Sequence, residues 1–204
     1  MAANSEDLLE RLSKAVDLVE WIHTQIDELC VPADLRTRLS CAAYAICMEH
    51  HASIIWLLMH DLNASAFAIL RLEFEAYVRA SWMRECATGL WFKKFASDSE
   101  FPKIGTLVEQ LERTEMFREK VISVFKENSW SNLCSYTHTG SLQIQRWITE
   151  SSISPNYSDP EIAEAISCAN AFGLLAAVGT SRLADDSELG LRLLERARLE
   201  SVVI

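Results

Sequence analysis

The sequence predicts an all-α protein, an up-and-down bundle of long helices. Three observations predict it. Apolar residues recur with helical spacing through most of the chain. Glycine and proline are scarce, six and four in 204 residues, which suits long helices and not a many-turned β sandwich. No run of strict apolar–polar alternation is long enough to argue a sheet. Half of the residues are hydrophobic, enough for one sizeable core at this length. One domain over 1–204 is expected, with a core bundle of about 34–184 and a helix packed on it from each end of the chain.

Each element has local grounds. Residues 5–29 place Leu8, Leu12, Val16, Val19 and Ile22 on one side, with Ser5 as the N-cap and Val31-Pro32 as the stop. Asp34 caps a second helix that runs to about His60. Asp61-Leu62-Asn63 is a turn, and a third helix covers about 64–88, with Gly89 as a stop or kink. Residues 90–105 are less regular, with the aromatic cluster Trp91, Phe92 and Phe95 and then Pro102. Short helices are expected at 104–112, 114–128 and 130–138, with Gly140 in a left-handed C-terminal position, and again at 141–150. Pro155 and Asn156 mark a loop over 151–158. Asp159-Pro160 opens a long helix to Leu183, and 186–199 forms a last, charged one.

Charge and cysteine usage narrow the function classes. The net charge is −10, and Lys93-Lys94 is the only adjacent basic pair. Tight, non-specific nucleic-acid binding draws on basic patches, so the composition argues against it. A small basic pocket within an acidic shell is compatible with it. None of the six cysteines forms a CxxC pair, which argues for reduced, buried thiols and a soluble, cytoplasmic protein. The acidic start of the chain predicts no signal peptide. The longest purely apolar stretches are about a dozen residues, short of the roughly 20 a membrane span needs.

The chemistry-bearing residues concentrate in two places. Arg71, Glu75 and Arg79 recur every four positions in the third helix. On a 100° wheel Arg71 and Glu75 fall among Phe67, Val78 and Trp82, with Arg79 at the margin, while Glu73 and Arg84 fall opposite and read as surface charges. Charges inside an apolar stripe are costly unless paired. They are therefore expected to be buried and paired, as an ion pair that sets helix register or as a site for a ligand or phosphate. The second place is Ser135-Tyr136-Thr137-His138-Thr139-Gly140. His138, near a helix end, is a candidate acid, base or ligand. The competing reading is a C-terminal cap. Tyr136, Asn132 and Arg79 are candidate binding residues beside it. So is His51, which shares an apolar helix face with Tyr44, Cys47 and Ile55 and is otherwise a core histidine.

No metal or cofactor is expected. Glu49-His50-His51 lacks the HExxH spacing, and no acidic cluster has metal spacing. The chain contains no GxxxxGK[ST], GxGxxG or GxSxG, which argues against phosphate-loop and serine-hydrolase chemistry.

Arg71-x3-Glu75-x3-Arg79-x2-Trp82, followed by Ser135-Tyr136-Thr137-His138, resembles bacterial helical proteins of the HEPN superfamily over about residues 40–150. The resemblance implies a metal-independent RNase, or a degenerate relative of one, of defence or toxin–antitoxin type, working as a homodimer, with RNA or a nucleotide as its partner. Its signature is an arginine, four to six residues, then a histidine. His138 matches the histidine, with Arg71 and Glu75 as further catalytic candidates. The window before His138 holds Ser131, Asn132 and Leu133 and no arginine. The alternative is a non-catalytic homodimeric interaction module.

Overall fold

The computed structural model describes residues 2–95 and 100–200. Among these the protein is a bundle of nine α-helices with no strand, so the all-α expectation holds. The helices are α1 (Ala2–Ile26), α2 (Leu35–Met59), α3 (Asn63–Glu85), α4 (Gly89–Phe95), α5 (Ile104–Leu111), α6 (Val121–Thr137), α7 (Ser141–Gln145), α8 (Asp159–Leu183) and α9 (Ser187–Leu199).

The caps explain several boundaries. Asp34 accepts from the Thr37 backbone N–H at the start of α2. Ser158 and Glu161 form a reciprocal capping box ahead of α8, with proline in its first turn. Asp186 accepts from the Leu189 N–H to start α9. The far end of α3 is held differently. Arg36, in the first turn of α2, donates to the carbonyls of Met83 (3.2 Å), Arg84 (2.9 Å) and Ala87 (2.6 Å). These are carbonyls that a helix end leaves free, and the guanidinium also lies over the Phe92 ring.

Several expected boundaries are corrected. The first helix stops at Ile26, before Val31-Pro32, and Ser5 lies inside it. Residues 121–137 form one helix, not two, preceded by a 3₁₀ turn at Glu115–Phe117. Gly89 starts α4, and four of the residues expected to be irregular, 96–99, lie outside the described residues. Only Ser141–Gln145 of the 141–150 stretch is helical; an isolated bridge pairs Ile148 with Ile153. The left-handed position after α6 belongs to Thr139 (φ 52°), not Gly140 (φ −74°). Gly140 is needed for space, because a Cβ there would sit 2.7 Å from Ser135 Oγ and 3.0 Å from its Cα.

α3 is the centre of the bundle, packing against α2, α5, α6 and α8. It is buried nearly all round, from Ala66 and Phe67 through Phe74, Tyr77 and Val78 to Trp82 and Met83. α2 pairs with α3 as an antiparallel hairpin and with α8 along its other flank. α1 and α9 both pack on α8, where Leu18, Ile22, Leu174, Leu189 and Leu193 form a separate apolar cluster. Two α8 glycines let α2 come close. A Cβ on Gly173 would overlap the His51 ring, and one on Gly179 the Tyr44 ring. Two helices, Leu35–Met59 and Asp159–Leu183, are long and apolar enough to cross a membrane by length and composition. The second is mostly buried inside the bundle.

Candidate functional site

The face that α3 turns toward α5 and α6 carries the polar stripe. Arg71 Nε donates to Glu75 Oε1 at 2.8 Å, and Arg79 Nη2 donates to Oε2 at 2.5 Å. Glu75 is buried. Its charge is offset by two guanidinium groups spaced one turn to either side, where i,i+4 residues meet on a helix. The expected burial and pairing of Arg71 and Glu75 is therefore present. The trio carries one net positive charge. Arg71 is mostly covered and Arg79 is two-fifths exposed.

The second sequence feature meets the first here. His138 is the residue that closes α6, its backbone N–H bonded to Cys134 O, but its side chain does not take up the capping role on the last carbonyls. Its side chain points elsewhere. Arg71 Nη1 lies 2.6 Å from His138 Nε2. An arginine can only donate, so Nε2 accepts and the imidazole proton sits on Nδ1. Thr137 fixes the end of α6 against α3 by donating to Ala68 O at 3.1 Å. The His138 ring itself is exposed.

Aromatic rings complete the surroundings. Arg71 Cζ stands 4.8 Å from the Trp130 ring centroid and Lys126 Nζ stands 5.6 Å from it. Arg79 covers Phe101 at 5.4 Å, and Trp82 Nε1 donates to Gln110 Oε1 at 2.7 Å. Contacts of this kind hold a cation against a ring face and limit how far either arginine can swing. A shallow groove between α5 and α6, lined by Val108, Glu109, Glu112, Lys126 and Glu127, adjoins this cluster through Lys126. Arg71 and His138 are not among its lining residues. Lys126 and Trp130 escaped the sequence reading because it broke the helix between them; as one helix, α6 puts them four apart on one face.

Other candidates lie apart. His51 is fully buried between α2 and α8, and its Nε2 donates to Asn170 Oδ1 at 3.0 Å. Burial pushes its imidazole down to about 4, against the opposing effect of the Asn170 bond, so it is neutral. It is the core histidine of the alternative reading. Tyr136 is buried, packs on Phe67 at 4.9 Å and bonds to Arg146. Asn132 is exposed on α6. Neither joins the Arg71–His138 pair.

Glu73 and Arg84 are not the surface charges the helical wheel suggested. Glu73 is wholly buried, and neither carboxylate oxygen has a hydrogen-bond partner among the described residues. Burial raises its carboxyl well above the usual range, so the core carries it as a neutral acid. Arg84 is half-buried beside Glu85. The wheel failed because α3 has no solvent side there. Among the described residues no group of three or more His, Cys, Asp or Glu is placed to hold a metal. All six cysteines are free.

Residues 44–198 match DUF6988, a family of unknown function, and the chain belongs to that family. The match spans α3, α6 and every residue of the polar stripe. No curated protein and no solved structure matches the chain.

Proposed function

We propose that this is a HEPN-like cytoplasmic protein of bacterial defence or toxin–antitoxin type, an RNase that needs no metal, with Arg71 and His138 as its working pair. One observation carries the reading: the 2.6 Å approach of Arg71 Nη1 to His138 Nε2. The arginine absent from the window before His138 is offered from α3 instead.

The chemistry follows from the tautomer. Nε2 carries no proton, so once RNA displaces Arg71 from it, it can take the proton of a ribose 2′-OH. The 2′-oxygen attacks the adjacent phosphorus, the P–O5′ bond breaks, the 5′-oxygen takes a proton from solvent water, and the imidazolium of His138 returns its proton to solvent. The products are a 2′,3′-cyclic phosphate and a 5′-hydroxyl. Arg71 Nη1, freed from His138, holds a non-bridging phosphate oxygen as charge builds there. Glu75 positions Arg71 through Nε, and Arg79 holds the other Glu75 oxygen. With a protein charge of −10, capture depends on this local positive charge and not on long-range steering.

The test is cleavage of several RNAs in the presence of a chelator, with end-group analysis. Wild type is expected to leave cyclic phosphate ends, and His138→Ala to lose cleavage at least about 100-fold. Equal cleavage by both proteins removes His138 from the mechanism. No cleavage by wild type across the RNAs favours the second reading, a non-catalytic homodimeric interaction module. The exposed Ile46 and Trp56 on the outer face of α2 support that alternative.

A further inference from the structure

We infer that the outer face of α2 is the docking surface for a second copy of this chain, with the two α2 helices antiparallel about a two-fold axis near Glu49 and His50. A helix that is apolar on all sides is normally buried on all sides. α2 is apolar enough to resemble a membrane span, yet only a third of that apolar window is buried in the bundle. Its outer face exposes Ile46 (50 %) and Trp56 (48 %). Arg38, Ala42, Ile46, Glu49, Ser53 and Trp56 fall within about 80° on a helical wheel, so they form one stripe along the helix.

The order of residues along that stripe fits a second copy. An isologous contact requires each residue to suit the residue placed opposite by the two-fold axis. Arg38 lies in the first turn of α2 and Asp61 in the turn just past its end at Met59, so the two sit near opposite ends of the stripe. Both are exposed, and neither has a side-chain ion pair or hydrogen bond with any described residue. Antiparallel docking pairs each Arg38 with Asp61 of the other copy, twice. Leu35 (52 % exposed) and Leu62 (54 % exposed) add apolar surface near the two ends of the stripe. Nearer the centre, small Ala42 faces large Trp56, and large Ile46 faces small Ser53. At the axis Glu49 meets His50 of the second copy. A parallel pair would put Arg38 against Arg38 and Trp56 against Trp56, losing both the charge match and the size match.

One helix pair buries less than the standard interface of ~800 Å² per partner, so a dissociation constant of about 1–100 µM is expected. The inference does not rest on the nuclease reading. His138→Ala is expected to dimerise as wild type does, so failure of one proposal leaves the other standing. The test is sedimentation equilibrium of the full chain up to about 500 µM, well above that range. Trp56→Glu should abolish the dimer without unfolding, since the ring is half exposed. Arg38→Asp and Asp61→Arg should each weaken it roughly tenfold or more, and the double variant should restore it. Monomeric wild type at the highest concentration overturns the inference, and so does a dimer indifferent to Trp56→Glu. A double variant no tighter than the single ones overturns the antiparallel register. A monomer that floats with phosphatidylglycerol-containing vesicles assigns the face to lipid and overturns the second copy.

Discussion

Glu73 and Glu75 sit two residues apart on α3 in opposite electrostatic situations. Both are buried, but Glu75 accepts from two guanidinium groups and Glu73 from no described residue. Glu73 has its folded-state affinity for protons raised, so it favours folding fully below the unfolded value near 4.5. That contribution is lost as pH rises toward the raised folded value. Glu73→Gln removes the titration while keeping the shape. It should stabilise the protein at pH 7–8, raising its melting temperature, with the gain vanishing near pH 4. Thermal melts of both proteins across that range check it.

The same change two residues on should act in the other direction. Glu75→Gln leaves Arg71 and Arg79 facing each other without their shared counter-charge. Because Arg79 is two-fifths exposed, water screens part of the cost. A loss of about 1–3 kcal/mol is expected, below the range for a wholly buried pair. A urea melt within 0.5 kcal/mol of wild type, an order-of-magnitude surface effect, would mean that the trio contributes nothing to holding α3.

His51 tilts stability the opposite way to Glu73. Its folded value is pushed down to about 4 from 6.5. The unfolded chain therefore takes up a proton first, and stability is lost as pH falls from about 6.5 to about 4. The loss is on the order of 3 kcal/mol in total. His51→Gln keeps a donor for Asn170 and does not titrate. The stability difference between variant and wild type should therefore shift by this amount between pH 7.5 and pH 4. A difference independent of pH would contradict the assignment.

Gly179→Ala should destabilise despite alanine's better helix propensity. The gain is about 1 kcal/mol. The added methyl meets the Tyr44 ring, which is buried and tied to Ser81 by a 3.0 Å hydrogen bond, so the ring cannot move aside cheaply. Overpacking of this kind costs about 1–3 kcal/mol. The expected outcome is a lower melting temperature, with the reverse for Gly89→Ala, where a Cβ meets nothing within 4 Å.

Legibility followed the physics of each element. The boundaries of α2, α8 and α9 were readable because Asp34, Asp159-Pro160 and Asp186 act locally. The burial of Glu75 was readable because its partners lie one turn away on the same helix. Glu73 was not, because a helical wheel assumes one wet side, and four helices surround α3. The Arg71–His138 contact spans 67 positions, and no local pattern encodes such a distance. The closeness of α2 and α8 did have a signal: glycines inside a helix cost stability, so Gly173 and Gly179 marked where another helix approaches.

Arg36 gives the α2–α3 hairpin a latch at its open end. The tight turn after Met59 joins the two helices at one end, and the guanidinium on three carbonyls joins them at the other. Helix ends ordinarily fray and exchange their amide protons fastest. With both ends fastened, amides near Leu39 and Met83 should exchange at rates close to those at the hairpin's middle. Slow, cooperative opening would then keep the polar stripe of α3 in register until the hairpin comes apart as a unit.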